Sequence, residues 1–239
     1  MADLRFCGMI GDMRSILEGE LQHIRDSIAV MGAQTVDATA RAVQALIRHD
    51  RAEASSVKHE DKALDAARYN IEQECFVALA TQQPVARDLR ILIAASIIAV
   101  ELERCGDYAK GIAKAARRIA RCDDDMPTFN LAEMDALARD MLNRSIQAFL
   151  NADVQMANEV IAADGRLDQA YSALLTQTLI AMSSNPKHIE SGLQLLRAAH
   201  NLERLGDRAT NIAERVLFVE SGDLPGSVNQ PDSGRIPTA

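Results

Sequence analysis

ELERCGDYAKGIAK at residues 101–114 returns one hundred residues later as NLERLGDRATNIAE at 201–214. Eight of the fourteen positions match: Leu102/Leu202, Glu103/Glu203, Arg104/Arg204, Gly106/Gly206, Asp107/Asp207, Ala109/Ala209, Ile112/Ile212 and Ala113/Ala213. A second alignment runs in parallel. AVQALIRHDRAEASSVKHEDKALD at 42–65 pairs with SIQAFLNADVQMANEVIAADGRLD at 145–168 at an offset of 103, matching Asp50/Asp153, Asp61/Asp164, Leu64/Leu167 and Asp65/Asp168 among others. One duplication, with a three-residue change of length between the two stretches, accounts for both offsets.

The unit that was duplicated is helical. Ala, Leu, Ile, Arg and Glu dominate the 239 residues, only 3% are aromatic and Trp is absent, so helix formers far outweigh strand formers. Each copy reads as three helices, over 15–49, 52–82 and 85–121, then 131–152, 154–183 and 187–220. In the third, Leu92, Ala95, Ala99, Leu102, Gly106, Ala109 and Ala113 step by three and four, a seam of small residues that admits a close neighbour. Ile98, Cys105, Ile112 and Ile119 form a second seam, so this helix should pack on two neighbours. A structural need for close approach explains Gly106 and Gly206, since glycine otherwise costs about 1 kcal/mol relative to alanine in a helix. The fold class is all-α, two tandem three-helix bundles related by internal duplication.

The remaining segments are connectors and ends. Asp50 with Glu53 and Asn130 with Glu133 have capping-box spacing, Pro84 and Pro186 suit first turns, and Asn185 suits an N-cap. Residues 1–14 are expected to be flexible, 15–121 to form the first bundle, 122–130 (CDDDMPTFN) to link it to a second bundle over 131–220, and 221–239 to be a disordered tail rich in Pro, Gly and Ser. The first fourteen residues hold Asp3, Arg5, Asp12 and Arg14 and no signal-peptide apolar core. The longest apolar run, ILIAASIIAV at 91–100, is half the length needed to span a bilayer. Four cysteines lack C-x-x-C spacing, which removes zinc-ribbon and thioredoxin readings. A cytoplasmic protein without direct membrane insertion is expected, and a formal charge of −8 opposes nucleic-acid binding.

The acids carry the functional signal. Glu103 and Asp107 are four apart and leave the same helix face, as do Asp61 and Asp65 on the preceding helix. Asp65 precedes Pro84 by 19 residues and Glu103 follows it by 19, while Asp61 and Asp107 are each 23 away. In an antiparallel hairpin these four lie side by side, about 28–35 Å from the turn at 1.5 Å per residue. Asp164, Asp168, Glu203 and Asp207 do the same about the turn at Asn185 and Pro186. Clustered carboxylates need cations. In the first copy Lys110 and Lys114 lie on the acid face, so an ion-pair ladder competes with metal. In the second these positions are Thr210 and Glu214, Asn211 adds an oxygen donor, and a bound ion is favoured. All-oxygen ligands suit divalent or trivalent hard ions such as Mg, Mn, Ca or iron, not structural zinc. No E-x-x-H pair of the ferritin-like kind accompanies the acids. His200 lies three residues before Glu203, but its counterpart is Val100, so it reads as an ordinary helix-face histidine. Arg104 and Arg204 adjoin the acids, and could pair with them or face a partner.

The doubled L-E-R-x-G-D-x-A with I-A following, QPVARDLR at 83–90 and the paired D-x-x-x-D segments resemble the PhoU family of phosphate-uptake regulators. The resemblance covers about residues 15–220. It implies two three-helix bundles and a cytoplasmic repressor of phosphate-starvation signalling, an adaptor between the phosphate ABC transporter and a sensor histidine kinase. A homodimer is a further expectation. It also implies metal sites on E(D)-x-x-x-D motifs, which fall here on Asp61, Asp65, Glu103 and Asp107, and on Asp164, Asp168, Glu203 and Asp207. The alternatives are a carboxylate-bridged metalloenzyme or metal-storage protein, and a helical scaffold whose acids are all paired with Lys and Arg.

Overall fold

In the computed structural model the described residues are 2–223, with side chains from residue 14 onward. They form six long helices: α1 (Ala2–Ile47), α2 (Arg51–Gln82), α3 (Ala86–Ile119), α4 (Leu131–Asn151), α5 (Val154–Ser184) and α6 (Ile189–Ser221), with a 3-10 turn at Pro186–His188. The chain is helical from Ala2, whereas the sequence reading started its first helix at 15. Residues 120–130 connect α3 to α4. Of the tail, residues 224–239 lie outside the described residues.

The duplicated hairpins start alike. Asp50 caps α2, accepting from the backbone N–H groups of Ala52 and Glu53, and Asp153 caps α5, accepting from Met156. Asn185 caps the 3-10 turn by accepting from Lys187. Two expected caps fail. Asn130 makes no capping bond to α4: its side-chain NH2 donates to the Ala170 carbonyl on α5, and its buried Oδ1 is left without a hydrogen-bond partner. Pro84 does not open α3. The chain turns through Gln83 in the left-handed region (φ 47°) and an extended Val85 serves as N-cap, leaving Pro84 outside the helix. Gly222, at φ 85°, ends α6 in a conformation that glycine adopts without a Cβ penalty.

Helices α2, α3, α6 and α5 lie side by side, α1 packs on α2 and α3, α4 packs on α5 and α6, and α1 touches α4. Both seams of α3 are buried, from Leu92 to Ala113 and from Ile98 to Ile119. The expectation of two neighbours for α3 is corrected to three, because α6 of the other bundle joins α1 and α2. Cys105 and Leu205, equivalent in the repeat, are fully buried on these two helices. The α3–α6 contact is antiparallel. Arg87 near the start of α3 pairs with Glu220 near the end of α6, and Gly111 near the end of α3 lies against Asn201.

Gly106 and Gly206 are contact points. A Cβ added at Gly106 would stand 2.5 Å from a Leu64 methyl on α2, and one at Gly206 would collide with Leu167 on α5, which is wholly buried. Gly165, also mid-helix, has open space around it. Gly165→Ala should therefore raise stability by about 0.5–1 kcal/mol through backbone entropy. Gly206→Ala gains the same propensity but overpacks a filled site, at a cost of about 1–3 kcal/mol, and should lower stability on balance. Thermal melts of the two variants check this; a rise in both would contradict the close-approach account.

Candidate cation site

The glycine contacts explain how the acids meet. Leu64 stands between Asp61 and Asp65 on α2, and Gly106 stands between Glu103 and Asp107 on α3. Seating Leu64 against Gly106 sets the two acid pairs on facing stretches of helix. Burial pushes the Glu103 carboxyl above the usual range, and the negative charges of Asp107, Asp65 and Asp61 push further, with Arg68 opposing. All four predicted acids of this copy are thus one electrostatic unit. Lys110 answers it directly, donating to Asp61 and, at 3.3 Å, to Asp107. Those carboxylates in turn hold the Lys110 ammonium above its ordinary pKa, chiefly through the hydrogen bond to Asp61. Lys114, which was expected to share this task, is exposed and makes no ion pair.

The second copy repeats the contact, with Leu167 against Gly206, and lacks the lysine. The Asp164 carboxyl is pushed up by burial and by Asp168 and Asp207. Glu203 is pushed up by burial, Asp207 and Asp168, with His200 pulling the other way. Thr210 stands where the first copy has Lys110. Arg208 comes only within 3.9 Å of Asp207, because it is held at 3.3 Å from Glu101. His200 is more than a bland helix-face residue. Its Nδ1 lies 3.1 Å from Glu203 Oε2, close enough to pair but not aligned for a hydrogen bond, so that buried oxygen has no hydrogen-bond partner. Asn211 is half-buried one turn beyond Asp207 and makes no hydrogen bond to the acids.

As a donor set this second cluster suits a hard cation: four carboxylates with no ammonium among them, and His200 beside Glu203. The side chains are not gathered into a cage, however. Among the described residues no group of three or more His, Cys, Asp or Glu is placed to hold a metal ion.

Sequence reasoning missed the seam between the bundles. The Glu101 carboxylate, with 9% of its side chain exposed, is approached by Arg208 from α6 at 3.3 Å and by Arg104 from its own helix at 3.5 Å. Arg204 lies over the Tyr108 ring, 4.8 Å from its centroid. Both motif arginines thus contact groups at or beside the α3–α6 seam. The signal was present in the repeat. Glu101/Asn201, Tyr108/Arg208 and Gly111/Asn211 are positions where the copies disagree, and the first two pairs, with Gly111, line the seam.

The fold and site together define an internally duplicated all-α protein that carries the same acid quartet on each three-helix bundle. Residues 28–116 and 131–216 each match the family model described as PhoU domain. The chain belongs to the PhoU family. It is 36% identical over 205 residues to a phosphate-specific transport system accessory protein PhoU homolog of Caulobacter vibrioides, covering 85% of this chain and 89% of that protein. A homolog of the same description from Rhizobium meliloti is 33% identical over 214 residues, covering 88% and 90%. The crystal structure of PhoU from Pseudomonas aeruginosa superposes with a TM-score of 0.82 at 30% identity over 86% of this chain and 99% of that one. The phosphate transport system regulatory protein PhoU from Streptococcus pneumoniae gives 0.81 at 29% identity over 87% and 98%. No helix among the described residues is long and apolar enough to cross a membrane.

Proposed function

We propose that this chain is a cytoplasmic accessory regulator of phosphate-specific transport. It holds phosphate-starvation signalling off when phosphate is plentiful, as an adaptor between the phosphate ABC transporter and a sensor histidine kinase. Its acid quartets bind divalent or trivalent cations, the second quartet more strongly than the first. The observation that carries the reading is the full double PhoU domain with the acid quartet kept in both copies. The relatives' names, accessory and regulatory protein, favour a regulator over a metalloenzyme or a metal store. Deleting the gene should release phosphate-starvation genes from repression in phosphate-replete medium, and a plasmid copy should restore it. Unchanged expression in the deletion strain, with any second gene of the family also removed, would overturn the proposal.

A further inference from the structure

The first bundle is not closed between α1 and α2. A groove runs along the two helices, through connected hollows that share Gln34 and Ala63 at one junction and His23 and Glu74 at the other. Its middle hollow holds about 590 Å³. The cause is local: Ala63, Ala66 and Ala67 form the α2 wall, and buried Met31 and Ile71 form the floor. Val30 on the α1 wall is 59% exposed. From Glu20 to Gln34 the groove is about 21 Å long at 1.5 Å per residue, the length of four helical turns.

The duplication supplies an internal control. At the offset of 103 the second copy has Arg166 and Gln169 where the first has Ala63 and Ala66. Helix α4 starts at Leu131, the counterpart of Ile28, so nothing in the second copy corresponds to the α1 residues before it. The groove is therefore a feature of the first copy alone, meeting that copy's acid site at Asp61 and continuing away from it to Glu20 and Glu74.

Its charge is one-sided. The Oε2 atoms of Glu20 and Glu74 are buried without hydrogen-bond partners and border the same end hollow of about 190 Å³. Asp26 is exposed on the rim. The basic group lining this end is His23, already 3.3 Å from Glu74. At the far end Glu60 and Asp61 are occupied by Arg41 and Lys110. A buried carboxylate oxygen without a donor is costly until one arrives.

The geometry points to this groove as the seat of a basic amphipathic helix from a partner protein, its apolar stripe on Val30 and the Ala63, Ala66 and Ala67 wall and a Lys or Arg reaching Glu20 and Glu74. Helix-in-groove recognition uses such i, i+3, i+4 and i+7 anchors. The chain's own residues 224–239 have prolines at 225, 231 and 237 and one basic residue, Arg235, which does not make a basic amphipathic helix. The inference does not depend on the proposed function.

The test uses the full chain and a fluorescein-labelled 18-residue peptide of Leu, Ala and Lys with Leu at helical spacing. A second peptide has Glu in place of Lys. Anisotropy in 0.15 M salt should show saturable binding of the basic peptide and none of the acidic one. Ala63→Arg with Ala66→Gln installs the second copy's residues at exposed positions, and Glu20→Gln with Glu74→Gln removes the two negative charges at the end hollow. Each double variant, with helical content checked by circular dichroism, should weaken binding at least tenfold. Asp164→Asn with Asp168→Asn should leave it unchanged, which separates the groove from general acidity. Four results would each overturn the inference. One is no saturable binding of the basic peptide. Another is equal affinity in the groove variants. A third is at least tenfold tighter binding by a chain ending at Asp223, which would make the tail the occupant. The last is a dimer that the groove variants abolish, which would make it a second copy.

Discussion

Arg208→Met should lower stability by about 3 kcal/mol, and Arg208→Met combined with Glu101→Leu should recover most of that loss. Glu101 lies almost out of solvent at the α3–α6 seam, and Arg208 is the cation that reaches it across the two bundles. Breaking a buried pair by removing one partner typically costs about 3–5 kcal/mol, because an uncompensated charge stays behind. The lower end applies because Arg208 keeps 21% of its side chain exposed and Arg104 remains 3.5 Å from Glu101. Replacing both partners with apolar groups removes the stranded charge along with the attraction, and such replacements are often neutral. For a chain of this length about 3 kcal/mol corresponds to a fall in Tm of roughly 6–12 °C. A double variant no more stable than Arg208→Met alone would show that the seam depends on shape rather than on this ion pair.

Lowering the pH from 7 should stabilise the metal-free protein through its acid quartets, and a saturating divalent ion should do the same at pH 7. Glu103, Asp164 and Glu203 are each held above the ordinary carboxylate range by burial and by neighbouring acids. A carboxyl whose folded pKa exceeds its unfolded one binds a proton more readily in the folded state. It therefore penalises folding above the folded pKa, and the penalty is relieved as the pH falls through that value. Glu60 acts in the opposite sense, because the Arg41 hydrogen bond holds its carboxyl low, and its contribution is lost only at more acid pH. Melting curves of chelator-treated protein should accordingly rise below neutrality and fall again in acid. Asp207→Asn should flatten the rise, since its charge helps raise both Asp164 and Glu203. In metal-free protein at pH 7 that variant should be neutral or mildly stabilising. A cation that binds the folded state at one hundred times its Kd should add about 2.7 kcal/mol. A Tm that falls steadily from pH 7 downward, in wild type and Asp207→Asn alike, would remove the repulsion from the account.

Much of this architecture is written in the sequence, for a definite reason. Helical periodicity and a duplication are local or self-referential signals, so the helices, their all-α fold and the seams of α3 follow without knowledge of packing. The convergence of the acids follows from counting residues outward from a turn, and the glycine between each acid pair from the need for close approach. What escaped depends on contacts between distant segments. Asn130 has a good capping sequence, but the Ala170 carbonyl takes its amide. Lys110 reaches Asp61 while Lys114, one turn further, turns to solvent. Glu101 and Arg208, 107 residues apart, meet only because two pseudo-equivalent helices pack antiparallel. Where the copies differ, symmetry gives no guidance, and there the third neighbour of α3 decides.

The most direct test of the cation sites is metal stoichiometry by mass spectrometry on wild type, Asp107→Asn and Asp207→Asn, each stripped with chelator, reloaded with Mn(II) or Fe(III) and freed of excess ion. The expected result is metal bound by wild type, a small loss in Asp107→Asn, where Lys110 already pairs with two of the four acids, and a larger loss in Asp207→Asn. Metal-free wild type, or equal losses in the two variants, would contradict the account.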